Sequence, residues 1–152
     1  MDWFQGVVLE YLRADRSAFV NPECLLNLDA DDVYRKDRHW YCDAVTVNFK
    51  EQTVWLCEIT YAENLHALVR RLRTWQSVWP ELERAVIRDC NVPASWRIRP
   101  RVFIPHALAD AFAKRFPNTA NQDMIGGSMT YPKITNLEEV LPWNRRGSAL
   151  GW

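Results

Sequence analysis

The sequence predicts one domain of the α/β (α+β) class, a mixed central β-sheet flanked by helices in the order α-β-β-β-α-β-α. Two observations favour this class. Stretches with helical spacing of apolar residues alternate with runs rich in β-branched and aromatic residues, and the short polar turn "KEQ" between the runs 40–49 and 53–62 predicts two antiparallel strands. A further strand follows only after a helix, so it needs a crossover connection, and the two connection types together imply a mixed sheet.

The N-terminal part of the chain begins with an amphipathic helix. Its apolar residues recur three and four positions apart, and Asp2 precedes them as a helix cap. A short strand in 18–29 follows, interrupted near Pro22, and a polar connection then leads to the strands at 40–49 and 53–62.

Beyond these strands the apolar residues return to helical spacing. A helix is predicted in 63–86. Its apolar residues form one stripe as far as Trp79, and Pro80 then kinks or ends the helix. The remaining predicted elements are a strand at 96–105, a helix at 106–117, a loop at 118–132, and a short strand with a terminal helix at 133–143. We expect residues 1–152 to form a single domain, with a core over about 2–116 and a C-terminal extension over 117–152.

The charge balance excludes a protein whose whole surface attracts polyanions. Lys and Arg together number 19, as do Asp and Glu, so the formal net charge is zero. The isoelectric point is about 6.8. Any nucleic-acid site must therefore be a local patch of positive charge.

The cysteines and the N-terminus predict the compartment. Cys24, Cys42, Cys57 and Cys90 show neither a CxxC pair nor a histidine spacing suited to zinc, so we expect reduced, buried thiols. The N-terminus lacks a basic segment followed by an apolar run, and no stretch approaches the roughly 20 apolar residues that span a bilayer. We expect a cytoplasmic protein with no membrane association.

Two acids, Asp43 and Glu58, lie in strand-like runs whose neighbours are apolar. With the turn near 50–52, Asp43 falls opposite position 58 or 59, so the two carboxylates would lie close together and repel each other. A divalent cation, Mg²⁺ or Mn²⁺, relieves that repulsion, because Mg²⁺ takes one or two carboxylates and completes its octahedron with water and phosphate oxygens. The alternative is that each acid meets an arginine or a backbone N–H.

The element order, with Asp43, fourteen intervening residues and a Glu-x-Thr motif at 58–60 before a basic helix, resembles the PD-(D/E)XK nuclease superfamily. The resemblance covers about residues 2–116. It implies the restriction endonuclease-like fold and Mg²⁺-dependent hydrolysis of DNA phosphodiester bonds, with Asp43 and Glu58 as metal ligands. It also implies that Glu10, on the first helix, matches an acid that assists catalysis in many members.

One motif position departs from this family, since Thr60 stands where the family has a lysine that orients the attacking water. A threonine hydroxyl can hydrogen-bond a water or a phosphate, but it carries no charge. Either a cation on the following helix replaces the lysine, with His66 the nearest and Arg73 the second by helical geometry, or catalysis is lost. Arg70 and Arg71 complete the predicted phosphate-contacting patch on this helix.

Three functions remain open from the sequence. The first is the Mg²⁺-dependent nuclease. The second is a catalytically inactive domain of the same fold that binds nucleic acid or a protein partner, and the eight tryptophans leave room for an aromatic interface. The resemblance also leaves a homodimer open, since many nucleases of this fold pair into dimers. The third is an α/β interaction or immunity-type protein in which Asp43 and Glu58 are ordinary salt-bridge partners.

Overall fold

The computed structural model describes residues 2–31, 33–61, 65–118 and 128–144. The elements in chain order are α1 (Trp3–Arg13), β1 (Ala18–Asn27), β2 (His39–Asn48), β3 (Thr53–Ile59), α2 (His66–Ser77), α3 (Trp79–Cys90), β4 (Arg97–Ile104), a 3₁₀ turn (His106–Leu108), α4 (Ala109–Arg115), β5 (Lys133–Asn136) and α5 (Leu137–Val140). The predicted class is confirmed, because the elements form an α+β fold with a mixed sheet between helices.

The five strands of the described chain form one sheet in the order β1-β2-β3-β4-β5. The first three strands form an antiparallel meander, with Ala44 opposite Cys57 between β2 and β3. β4 then lies parallel to β3, and β5 lies parallel to β4. The antiparallel pair and the crossover that the sequence predicted are therefore both present.

The element order differs from the prediction at the long helix. Two helices, α2 and α3, replace one, since the chain turns at Val78, whose N–H donates to the carbonyl of Trp75. Pro80 lies in the first turn of α3, where its missing N–H costs nothing. With β5 and α5 included, the observed order is α-β-β-β-α-α-β-α-β-α. Part of the expected C-terminal extension, 119–127 and 145–152, lies outside the described residues.

β1 runs through Pro22 as a strand of ten residues, and the predicted interruption is a local distortion at Glu23, which the register with β2 skips. Pro22 pairs with Ala44 of β2, and Glu23 next to it adopts a φ of 49°. A proline is tolerated here because β1 is an edge strand, where the missing N–H can face away from the sheet.

Helices cover both faces of the sheet. The larger core packs α2, α3 and α4 against one face, and the smaller core packs α1 and α5 against the other. β3 is central, and all seven of its residues are buried. A charged residue in β3 therefore has little water to solvate it and needs a partner from the protein.

The cap of α1 brings a further side chain into place. Asp2 accepts a hydrogen bond from the backbone N–H of Gln5 at 2.8 Å, and the Gln5 side chain returns a bond to the backbone N–H of Asp2. This capping box confirms the predicted cap and orients Gln5 at the start of α1.

The cysteines are all free, with Cys42 and Cys57 buried and Cys24 and Cys90 half-buried. Burial raises the pKa of the Cys57 thiol to about 12, so this side chain stays protonated at neutral pH. Within the described part of the chain, no helix combines the length and the apolar character needed to cross a membrane.

Leu72→Ala tests the larger core. Leu72 is fully buried between α2 and the sheet, so we expect its loss to lower the free energy of unfolding by about 2–5 kcal/mol in a urea titration. Leu25→Ala is the matched control, because Leu25 is exposed on β1, and it should cost about 1 kcal/mol or less. Equal losses in the two variants would contradict this core assignment.

Candidate functional site

Asp43 lies where β2 and β3 stop pairing through their backbones. The ladder between these strands ends at Ala44 and Cys57, so Glu58 is the next residue across from Asp43, as the turn arithmetic predicts. The Oδ2 atom of Asp43 accepts the backbone N–H of Ile59 at 2.8 Å. The Asp43 carboxylate thus accepts the N–H that a backbone carbonyl of β2 would accept if the ladder continued. We call this point, where the two strands separate, the opening between β2 and β3.

Glu58 is buried in β3, with only 5% of its surface exposed, and its charged partner is Arg71 of α2. The Nη1 atom of Arg71 lies 3.0 and 2.9 Å from the two carboxylate oxygens of Glu58. The same Nη1 donates to the carbonyl of Tyr41 at 3.1 Å. Arg71 therefore closes the opening between β2 and β3 from the helix side.

The pKa of Glu58 rises to about 8, from an ordinary value of 4.5. Burial is the largest cause, and the negative charge of Asp43 adds to it, while Arg71 acts in the opposite direction. The proximity of the Asp43 carboxyl group thus acts in the same direction as burial. The raised pKa favours the protonated form of Glu58 near neutral pH when no cation lies beside it.

The first helix contributes Gln5 to this site rather than Glu10. Nε2 of Gln5 donates to Oδ1 of Asp43 at 3.4 Å. Glu10 pairs instead with Arg13 at 3.6 Å, and its side chain is 72% exposed. Five residues of helix turn a side chain by about 140° and advance it by roughly 7.5 Å, so Glu10 points away from Asp43, which Gln5 contacts. The expectation that Glu10 assists at the site is wrong.

The cation at Glu58 also differs from the expected one. Arg71 makes the contact, whereas His66 lies 3.5 Å from Arg115 and Arg73 donates to the Arg115 carbonyl. The ranking of His66 first and Arg73 second is therefore wrong, because the strand opening lies on the other flank of α2. His66, Arg70 and Arg73 instead line one groove with Arg115.

Thr60 follows β3 directly. Its backbone N–H donates to the carbonyl of Phe103 in β4 at 3.0 Å, so the parallel pairing extends one residue beyond the strand. The position is half-buried, and its side chain brings no charge to the acids. The positive charge beside Glu58 comes from Arg71.

Sequence reasoning missed the roles of Gln5 and Arg71. The signal for Gln5 was its place three residues after the capping Asp2, which the capping-box pattern identifies. The signal for Arg71 was weaker, since helical spacing placed it on a flank of the apolar stripe without showing which flank faces the acids.

Asp43 and Glu58 form a donor set that suits one Mg²⁺ or Mn²⁺. Among the described residues, no group of three or more His, Cys, Asp or Glu side chains could hold a metal ion. Mg²⁺ needs only one or two protein carboxylates when water and substrate phosphate complete its shell, so the pair fits. Arg71 occupies both oxygens of Glu58 and would compete with such a cation.

Comparisons with protein-family models, with curated proteins and with solved structures found no match to this chain. The interpretation of the site therefore depends on its own geometry.

Glu58→Gln tests the raised pKa of Glu58. Between about pH 4.5 and about pH 8, folded Glu58 holds a proton that unfolded Glu58 has released, so the folded state binds more protons and stability falls as pH rises. Gln mimics the protonated form, so the variant should gain more than about 1 kcal/mol over the wild type across this window. Urea unfolding between about pH 5 and pH 9 measures the difference.

Glu10→Gln is the control for this experiment, because Glu10 is an exposed acid of the same type. Its stability relative to the wild type should not change across the window. A difference between wild type and Glu58→Gln that stays constant with pH would show that Glu58 ionises at its ordinary pKa.

Proposed function

We propose that the chain is a Mg²⁺-dependent nuclease-like protein of the PD-(D/E)XK type that acts on DNA by metal-assisted phosphodiester hydrolysis. The observation that carries the proposal is the acid pair, with Asp43 and Glu58 opposite each other where β2 and β3 separate. The helix, the antiparallel meander and the parallel fourth strand support a restriction endonuclease-like arrangement. In that arrangement the acid-bearing strands lie at the centre of the sheet.

The two acids hold the cation in this proposal. Mg²⁺ or Mn²⁺, when bound, activates a water and stabilises negative charge on the phosphate. Asp43 is oriented for this role by the N–H of Ile59 and by the amide of Gln5. Glu58 is held by its place in the buried strand β3.

Arg71 supplies the positive charge that the motif lacks at Thr60. Its guanidinium lies at Glu58, and the Arg71 side chain as a whole is 39% exposed. A guanidinium in this position can stabilise the charge on a phosphate oxygen, because arginine pairs well with phosphate. Arg71 must then release Glu58 at least in part when a cation binds.

A second candidate function is a catalytically inactive domain of this fold that binds nucleic acid or a protein. The observation that favours it is the same ion pair, since Arg71 already satisfies both oxygens of Glu58 without a metal. The salt bridge is also what an interaction protein with ordinary acids would show. Cation binding separates these alternatives from the nuclease.

Asp43→Asn tests the nuclease function. The full chain with Mg²⁺ or Mn²⁺ should cleave at least one of labelled single-stranded, duplex or branched DNA, and EDTA should stop the reaction. Asp43→Asn removes a cation ligand worth several kcal/mol in the transition state, so cleavage should fall more than about 100-fold. Glu10→Gln, an acid outside the site, should cleave at the wild-type rate.

The outcomes divide the candidates clearly. Cation binding that Asp43→Asn abolishes, without cleavage of any of the three DNA forms, would favour the inactive domain. Absence of cation binding by calorimetry, together with absence of cleavage, would overturn the nuclease proposal.

Arg71→Gln tests the competition at Glu58. Removing the guanidinium frees both carboxylate oxygens, so Mn²⁺ should bind the variant severalfold more tightly than the wild type. Cleavage at saturating Mn²⁺ should nevertheless be slower, because the positive charge is lost. Calorimetry and single-turnover cleavage measure the two effects, and weaker Mn²⁺ binding in Arg71→Gln would contradict this role.

A further inference from the structure

A groove of about 470 Å³ lies along the flank of α2 that faces the end of α4. Helical spacing brings its α2 residues to one side of the helix, since they recur at intervals of three and four. The residues that line it are His66, Val69, Arg70, Arg73, Thr74, Ser77 and Arg115. The volume lies within the range of small-ligand sites.

The groove has a strong positive charge. Three arginines from two helices, Arg70, Arg73 and Arg115, converge on it together with His66. No carboxylate is among the residues described as its lining. The protein has no net charge, so this local excess is not a consequence of a basic composition.

Two of the arginines are held in place by the fold. Nη2 of Arg73 donates to the carbonyl of Arg115 at 2.8 Å, and the Arg73 guanidinium lies 5.5 Å from the centre of the Phe116 ring. Nη2 of Arg115 lies 3.5 Å from Nδ1 of His66. These contacts join α2 to the end of α4 and reduce the entropy that a bound ligand would cost.

The hydroxyl groups of Thr74 and Ser77 donate to backbone carbonyls of α2 rather than into the groove. The Thr74 hydroxyl donates to the carbonyl of Arg70 at 3.0 Å, and the Ser77 hydroxyl donates to the carbonyl of Thr74 at 2.7 Å. Recognition by this groove therefore depends on its guanidinium groups, whose planar forks suit phosphate oxygens.

The groove is separate from the acid pair. Arg71 is not among the residues that line the groove, and Arg73 lies on the other flank of the buried stripe of α2, which contains Leu68, Leu72 and Trp75. Arg71 faces the opening between β2 and β3, whereas Arg73 faces α4. Asp43 and Glu58 are therefore not among the residues that a ligand in the groove would contact.

We propose that this groove binds a phosphate group, which is either a phosphodiester of a nucleic-acid strand or a free phosphate such as pyrophosphate. An anion in the groove neutralises the like charges that the fold brings together, and phosphate offers the oxygens that arginines pair with. This binding requires no cation and no cleavage. It can therefore hold whether or not the acid pair is catalytic.

The experiment uses the full chain in EDTA, so that no cation binds the acids. Fluorescence anisotropy with a labelled single strand of about 20 nucleotides, and with its duplex, measures binding of phosphodiesters. Calorimetry with pyrophosphate measures binding of a free phosphate. The test variant is Arg70→Gln combined with Arg115→Gln, since both side chains are exposed and the substitutions keep polar character.

We expect the double variant to bind at least about tenfold more weakly, because two charge-assisted contacts are lost. For DNA, the slope of log K against log salt concentration should fall by about 1.4 for the single strand and about 1.8 for the duplex. The matched control is Arg84→Gln, an exposed arginine on α3, which should bind like the wild type.

Each outcome of these measurements either identifies the ligand or overturns the proposal. Weakened binding of DNA alone identifies the phosphodiester, and weakened binding of pyrophosphate identifies a free phosphate. A wild-type chain that binds neither probe would overturn the proposal. Equal affinity in the double variant and the wild type, with circular dichroism spectra that agree, would overturn it as well.

Discussion

The rest of the site depends on one constraint, the burial of the Glu58 carboxyl group in the central strand. Helices cover both faces of β3, so water cannot solvate this acid. Its partner must come from the protein, and it is the guanidinium of Arg71. Burial and the second acid raise the pKa of Glu58 more than Arg71 lowers it. A cation beside the two acids would favour the charged form of Glu58, which is the physical basis for a metal site.

The α2 helix connects the two functional regions of the molecule. Arg71 extends from one flank of α2 to the opening between β2 and β3, whereas Arg70 and Arg73 line the groove beside α4. The buried stripe of α2 packs in the larger core. The arginines of the "RRLR" segment look alike in the sequence. In the structure, Arg71 pairs with the buried Glu58, whereas Arg70 and Arg73 line a groove that can accept an anion.

Much of the fold and part of the site follow from local patterns. The capping Asp2, the turn before Thr53 and the position of Asp43 opposite Glu58 all depend on short-range spacing, which the sequence displays. The errors arose where the outcome depended on the neighbours of an element. Pro22 is accommodated because β1 is an edge strand, and Gln5 rather than Glu10 reaches Asp43 because Gln5 lies in the first turn of α1.

The α+β class, the order of the meander and the crossover, and the meeting of two acids on adjacent strands all follow from patterns along the chain. Periodicity and turn spacing act over a few residues, so they can be read directly from the chain. The contact of Arg71 rather than His66 with Glu58, and the position of Arg115 beside the groove residues of α2, depend on how the helices pack on the sheet. The rotation of a helix on a sheet is set by packing over the whole core, which no local pattern contains.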